Sequence, residues 1–283
     1  MLANHGYLSL RQLCLGYLGK LVVEELSLSI NKGEMLGLLG PNGSGKTTTI
    51  HAITGNLQVT SGSIFLDGVS IEEHPETFKK MIGFVPQELA IYEELSPFEN
   101  LWFFGKNYRI PSRQLHSRIA DVLKMVRLDA QANIPSRNFS GGMKRRLNIA
   151  CALLHNPGLL LLDEPTVGLD PLSREAVFEC LENLRSEGCA IIYTSHYYEE
   201  IARLCDQIGV MSAGRLVFRG SMEEFHRMLS SKTPWEKKHK KNVPIYRFDE
   251  NSITQPDSVE NQNLDQAEKV EKYLMSLSIG KAA

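Results

Sequence analysis

Several features are scarce in this 283-residue chain, and each scarcity closes off a class of protein. No apolar run approaches the roughly 18 residues that a membrane-crossing helix needs. The longest, such as Gly158–Leu162, have the length of a strand. If the protein works at a membrane, another polypeptide does the spanning. Residues 1–8 lack a basic segment followed by a sustained apolar stretch, so no secretory signal is expected. The five cysteines, Cys14, Cys151, Cys180, Cys189 and Cys205, are odd in number, scattered and without a C-x-x-C pair. That pattern reads as reduced, mostly buried thiols, not as a disulfide framework or a zinc site. The eight histidines form no H-E-x-x-H cluster. Charge of one sign is missing too: 31 Lys and Arg face 33 Asp and Glu, for a net charge of −2. The whole chain therefore offers no electrostatic argument for nucleic acid or an anionic membrane.

What is present reads as a globular α/β protein. Hydrophobic residues are 42% and charged residues 23%, and the length suffices for one large or two modest domains with a real core. Residues 7–40 are β-rich, with short strand candidates at Tyr7–Leu10 and Leu21–Val23. Leu26–Ile30 alternates apolar and polar residues like a half-buried strand. Asn31–Gly33 carries a turn signal that predicts a hairpin into the next strand. A small antiparallel sheet is thus expected near the N-terminus. Ser61–Ser63 and Leu66–Val69 punctuate another short β segment, further strands are predicted at Ile82–Val85, Leu159–Leu162 and Ala190–Tyr193, and a helix at Ser173–Leu184. A closing hairpin is expected across residues 208–218. Alternating strands and helices imply a parallel sheet covered on both faces. Residues 88–156 change character: Leu101–Phe104 is aromatic, and Ile119, Val122, Leu123 and Val126 recur at helical spacing. This reads as a helical insertion. From 222 to 283 a C-terminal extension is expected, with a basic stretch at Lys232–Lys241, a largely acidic one at Asp249–Glu271, and an amphipathic helix at Ala267–Leu277.

The most informative stretch is Gly40, Pro41, Asn42, Gly43, Ser44, Gly45, Lys46 and Thr47, followed by Thr48. It fits G-x-x-x-x-G-K-[ST], a phosphate-binding loop. Met35–Leu39 before it reads as a buried strand and Thr48–Ile53 after it as a helix, which is the setting the loop requires. The glycines let the backbone curl with its N–H groups inward, and the helix N-terminus adds positive potential. Lys46 would reach the β- and γ-phosphates, and the Thr47 hydroxyl would ligate Mg²⁺.

Two further stretches extend the chemistry. Leu159–Leu162 runs into Asp163 and Glu164, so a buried strand delivers two carboxylates to its C-terminal tip, where open α/β sheets place ligands. Asp163 would hold Mg²⁺, and Glu164 would orient or deprotonate an attacking water. Ser140, Gly141 and Gly142 open a helix and make a second anion site from backbone N–H groups, a hydroxyl and the helix dipole. One chain then carries two phosphate-binding surfaces. Two chains packed head to tail would use both, in a symmetric dimer that closes on itself.

Taken together, these stretches resemble the nucleotide-binding subunit of an ATP-binding cassette (ABC) transporter. The resemblance covers about residues 7–220, with every element in family order. These are the phosphate loop Gly40–Thr47, a glutamine loop ending at Gln87, the signature Phe139–Met143, Leu159–Glu164, a D-loop at Val167–Asp170 and a switch at Thr194–His196. It implies a P-loop NTPase (RecA-like) core with a parallel sheet, an antiparallel β subdomain and a helical insertion, residues 1–221 forming the ATPase domain. It implies ATP and Mg²⁺ as ligands and ATPase activity coupled to transport. Tyr17 would stack on adenine, Gln87 would contact Mg²⁺ or water, and His196 would contact the γ-phosphate. Asp170 would lie across a dimer interface.

The signature is Phe-Ser-Gly-Gly-Met where Leu-Ser-Gly-Gly-Gln is commonest, and with the following Lys-Arg-Arg it resembles the ABC-2-type exporter subgroup. Val167 stands where the D-loop often has Ser or Thr. The implied partners are a second ABC subunit, identical or not, and a separate transmembrane permease, which would hold this chain peripherally on the cytoplasmic side of the cell membrane. Tyr92, Leu95, Pro97 and Phe98 would line the groove that receives a permease helix. The alternative is a non-transport ABC ATPase acting on ribosomes or nucleic acid. It fits less well, since a single cassette lacks the linked pair of the translation type and the long coiled coil of the repair type.

Overall fold

The computed structural model describes residues 6–230 together with 269–270 and 273–274. Two long strands, β1 (Leu8–Tyr17) and β2 (Lys20–Ile30), precede β3 (Met35–Leu39) and the helix α1 (Lys46–Ile53). Then come β4 (Ser61–Leu66), β5 (Val69–Ser70), α2 (Pro75–Lys80) and β6 (Ile82–Val85). The helical insertion contains α3 (Pro97–Asn107), α4 (Ser112–Met125) and α5 (Gly141–Leu153). The chain returns through β7 (Leu159–Asp163), α6 (Pro171–Ser186), β8 (Ala190–Ser195) and α7 (Tyr198–Leu204). It then adds β9 (Gln207–Ser212), β10 (Arg215–Gly220) and α8 (Met222–Ser230).

The strands form two sheets. A four-stranded antiparallel sheet has the order β2-β1-β4-β5, and a six-stranded sheet has the order β10-β9-β3-β8-β7-β6. In the larger sheet β9, β3, β8, β7 and β6 run parallel, and β10 closes the edge as an antiparallel hairpin with β9. Successive residues of its central strands belong to different cores. Leu160 and Leu162 of β7 pack with the insertion, α6 and α7, whereas Leu159 and Leu161 pack with α1 and the antiparallel sheet. Ile191 and Tyr193 divide in the same way from Ala190 and Ile192. Both faces are covered, so these strands read as unbroken apolar runs and not as alternating ones.

Two expectations about the N-terminal region change. The predicted hairpin at Asn31–Gly33 is absent: β2 pairs with β1, while β3 lies between β8 and β9 in the other sheet. All five residues of β3 are buried, which an edge position beside the half-exposed β2 would not achieve. The turn instead carries the chain from one sheet to the other, with the Asn31 N–H bonded to Glu34 Oε2 at 2.7 Å and the Gly33 N–H to the Gly188 carbonyl at 3.0 Å. Leu21–Val23 and Leu26–Ile30 are one strand, not two. Buried positions step from Val23 to Leu26 across an irregularity at Glu25 (φ 51°), and β1 steps from Leu10 to Leu13 past Gln12 (φ 45°). Leu13 and Leu26 are register partners, so the two bulges match and restore alternation together.

The insertion forms as the helical spacing predicts. Leu115, Ile119, Val122 and Leu123 are the buried residues of α4. At the start of α3 a capping box ties Ser96 to Glu99, and Pro97 follows as the first helical residue. The helices α2 and α7 are too short for a periodic signal and had no counterpart in the sequence reading.

The expected extension begins with α8. A second capping box starts it: the Ser221 N–H donates to Glu224 Oε2 at 2.8 Å, and the Glu224 N–H donates to Ser221 Oγ at 3.2 Å. Phe225 is fully buried in the core cluster that also holds Tyr198, Val270 and Leu274. Residues 269–270 and 273–274 are helical, at positions within the predicted Ala267–Leu277 helix. The basic stretch at 232–241 and, apart from residues 269–270, the acidic stretch at 249–271 lie outside the described residues.

Candidate functional site

The phosphate loop joins the C-terminal tip of β3 to α1 at the centre of the parallel sheet. Glycine is required at both ends of the loop. A Cβ on Gly40 would lie 2.3 Å from the Met211 carbonyl oxygen, and Gly45 has φ +108° with Val23 Cγ2 2.8 Å from where a Cβ would sit. Lys46 is 5% exposed; its Nζ donates to the Gly40 carbonyl at 2.7 Å and lies 3.7 Å from Glu164 Oε1. Burial lowers the pKa of Lys46, while Glu164 and Asp163 oppose that shift by favouring the charged amine. Ser44 is also buried, and its Oγ has no hydrogen-bond partner. An unused donor beside a buried cation and a helix N-terminus is a cradle suited to an anion.

The two carboxylates at the tip of β7 meet this loop. Asp163 Oδ1 accepts from the Thr47 hydroxyl at 3.2 Å and from the Thr194 hydroxyl at 2.7 Å. Thr194, at the end of the adjacent β8, also accepts from the Glu164 N–H at 3.0 Å, and its carbonyl lies 3.2 Å from the same N–H. These contacts hold Glu164 at φ 46°, a sparsely populated conformation for a non-glycine residue. His196 Nδ1 lies 3.1 Å from Glu164 Oε2, so one carboxylate faces both Lys46 and His196. Lys46, Thr47, Asp163, Glu164 and His196, each predicted from the sequence, thus form one connected group.

Ser140 and Asp170 belong to a second neighbourhood. Ser140 caps α5 by accepting from the Met143 N–H at 3.2 Å, and Asp170 caps α6 by accepting from the Ser173 N–H at 3.0 Å. Hydrogen bonds from Ser173 hold the Asp170 carboxyl below the usual range. The two helix starts touch: a Cβ on Gly142 would fall 2.1 Å from Ser173 Oγ. Helix α1 packs on β1, β2 and β7, whereas α5 packs on α3, α4, α6 and β6. Gln87 is exposed just beyond β6, and Tyr17 is 47% exposed at the end of β1. Of the four residues expected to line a groove, Tyr92 is exposed and Leu95 and Phe98 are half-buried. Pro97 is buried as the first residue of α3. Of the four only Phe98 lines the surface concavity here, with Trp102, Phe103 and His116.

Sequence reasoning missed a buried hub behind the switch. Glu200 on α7 is 3% exposed and accepts from Thr166 Oγ1 at 2.7 Å, Tyr193 OH at 2.9 Å and Ser195 Oγ at 2.8 Å. It ties the segment after Glu164 to the residue before His196. The available signal was the pair Glu199 and Glu200 on a short helix, of which only one faces solvent.

Comparison with known proteins agrees with this arrangement. Residues 23–167 match the ABC transporter family. The linearmycin resistance ATP-binding protein LnrL of Bacillus subtilis is 45% identical over 214 residues, 76% of this chain and 69% of that protein. The Nod factor export ATP-binding protein I of Cupriavidus metallidurans is 40% identical over 203 residues, 72% of this chain and 67% of that protein. Among solved structures, an ATP-binding subunit of an ABC transporter superposes with a TM-score of 0.70 at 31% identity, covering 78% of this chain and 92% of that one. The cbiO1 protein of Clostridium perfringens, part of the transporter complex cbiONQ, gives 0.73 at 28% identity, with 79% and 92% covered.

Proposed function

The chain belongs to the ABC transporter family, as an ATP-binding subunit with ATPase activity, and from that premise we propose that two ABC subunits close head to tail around ATP to drive an exporter. Each ATP would be held by the Lys46 loop of one subunit and by Ser140, Gly141 and Gly142 of the other. The observation that carries this reading is the separation within one chain of two anion-binding helix starts. The first lies beside Glu164 and His196; the second lies beside Asp170. Tyr17, exposed at the end of β1, would supply a face for adenine.

The donors present fit Mg²⁺. Thr47 Oγ1 and Asp163 Oδ1 are hard oxygens 3.2 Å apart, a partial set of the kind that magnesium completes with water and substrate phosphate. When bound, the ion supplies neutralisation of charge on the phosphates. The protein's own residues do the rest. Lys46 binds and orients the phosphates, and Glu164 takes a proton from the attacking water. His196, in contact with Glu164, orients the carboxylate and that water. Gln87 would contact the ion or the water. After hydrolysis and phosphate loss, the charge that both subunits were binding is gone, and the closed state loses its differential affinity.

No helix among the described residues is long and apolar enough to cross a membrane. A separate permease as the transport path is supported by the likeness to cbiO1, which is part of the transporter complex cbiONQ. The exposed aromatics Tyr92 and Phe103, with Phe98 and Trp102, offer a surface for it. Export is the direction named for the relatives concerned with Nod factor. The test is light scattering of Glu164→Gln with ATP and Mg²⁺. A dimer that persists supports the reading, and a monomer at all ATP concentrations contradicts it.

A further inference from the structure

The signature helix does more than present Ser140. One turn into α5, Arg145 is 5% exposed, and its guanidinium donates to two successive carbonyls, those of Pro86 at 2.8 Å and Gln87 at 2.6 Å. Neither bond is helical, and among the described residues no carboxylate lies within ion-pairing distance of this cation. Burying a charge against loop carbonyls alone is a costly way to fill a core position, and an apolar side chain of similar volume would serve packing better. What the guanidinium supplies is geometry: a rigid planar fork that fixes two adjacent peptide units at once.

Further contacts run along the same face. Asn148 Oδ1 accepts from the Ala90 N–H at 3.3 Å, and Lys144 Nζ lies 2.8 Å from Glu93 Oε2. Residues 86–93 are therefore stapled to α5 at three points, while the Gln87 side chain is left exposed. The fork sits on the backbone of the residue whose side chain is proposed to contact the ion or the water.

We infer that Arg145 is a positioning residue for hydrolysis, acting through Gln87. This rests on the proposed role of Gln87 at the ion or the water. Arg145 holds the peptide of Gln87, and with it the direction in which the side chain leaves the backbone. The same helix begins at Ser140, so a shift of α5 on engaging a partner's ATP displaces Gln87 in the subunit's own site.

The test is a double-mutant cycle in steady-state ATPase kinetics of the full chain, with Arg145→Met, Gln87→Ala and the double variant. Misplacement by about an ångström can cost on the order of 100-fold in rate. Arg145→Met is expected to lower kcat at least about tenfold while KM for ATP stays within about threefold, as a loss of positioning without loss of binding does. Gln87→Ala should give a similar fall, and the double variant should be no slower than Gln87→Ala alone. Arg145→Lys, with a cation but no fork, keeps the test open if the methionine variant folds poorly, and it should fall between wild type and Arg145→Met. Losses that multiply in the double variant would overturn the inference, since Arg145 would then act independently of Gln87. An unchanged kcat in both arginine variants would overturn it as well. An unchanged kcat in Gln87→Ala would remove the role of Gln87 itself, and the inference would fall with it. That failure is told apart because it appears in the single variant.

Discussion

Lys46 and Glu164 face each other across the phosphate loop, Nζ to Oε1 at 3.7 Å, with side chains 5% and 11% exposed. The residue that would hold the phosphates and the residue that would activate water are each other's electrostatic partner. Lys46→Ala should weaken ATP binding roughly 10- to 150-fold, the value of a charge-assisted hydrogen bond of about 1.5–3 kcal/mol. Calorimetry giving unchanged affinity would remove Lys46 from the site. Glu164→Gln should lower kcat by about 10²–10⁴, the usual range for a general base. ATP affinity should be kept or tightened, because Lys46 loses an intramolecular competitor.

Thr194 bridges the two carboxylate residues through one hydroxyl. Thr194→Val removes a donor to Asp163 and an acceptor for the Glu164 N–H, at a cost of about 1–3 kcal/mol in stability. Urea unfolding should register that loss, and ATPase activity should fall with it. Thr194→Ser should recover most of both.

Ser140 caps α5, and the phosphate contact proposed for it is a second role that substitutions can separate from the first. Ser140→Ala loses the cap to Met143, worth about 1 kcal/mol, as well as any contact to phosphate. Ser140→Asp keeps a good cap but sets a negative charge where phosphate would dock. The expected outcome is near-native thermal stability, normal ATP binding by the monomer, and loss of ATP-driven dimerisation and hydrolysis. Dimerisation as in wild type would argue against a role in trans.

Tyr17→Ala should raise the Kd for ATP by an amount matching about 1–3 kcal/mol of base stacking while leaving kcat at saturation unchanged. Tyr17→Phe should be close to neutral. Fluorescent-nucleotide titration reads the first effect. An equal Kd in wild type and Tyr17→Ala would move the adenine elsewhere.

Phe225, on α8, is fully buried in the core cluster that also holds Tyr198 and Leu274. Phe225→Ala should destabilise the protein by about 3–5 kcal/mol, as aromatic-to-alanine changes in cores do. Thermal unfolding would measure it, and a change within about 0.5 kcal/mol, the range typical of surface sites, would mean that α8 is peripheral.

The parts legible in the sequence are those whose signal is local. Gly40–Thr47 carries its loop geometry in consecutive residues, and Leu159–Leu162 announces a strand buried on both faces. The route of Asn31–Gly33 was not legible, because a turn signal says that the chain reverses but not which sheet receives it. The bulges at Gln12 and Glu25 hid the length of β1 and β2, since each shifts the alternation by one residue. Arg145, Thr194 and Glu200 were missed as contact-makers because their partners lie elsewhere in the fold: Arg145 meets residues 58 and 59 positions away, and Thr194 meets one 31 away. Pro97 read as a groove residue for its apolarity, but its fixed φ suits it to start α3, which buries it.

The left-handed backbone of Glu164 also bears on how this position can change over generations. Neighbours on a strand normally point to opposite faces, so Asp163 and Glu164 reach one loop only because the chain turns at φ 46°. Of the possible replacements, Asn, Asp and Gly tolerate that turn best, while Val, Ile and Thr are disfavoured by their branched Cβ. If Glu164 activates water as proposed, its replacement by Gly, which lies one nucleotide from both Glu codons, would end catalysis and leave the fold intact. The position filters its own substitutions, and it lets catalytic silence arise without structural collapse.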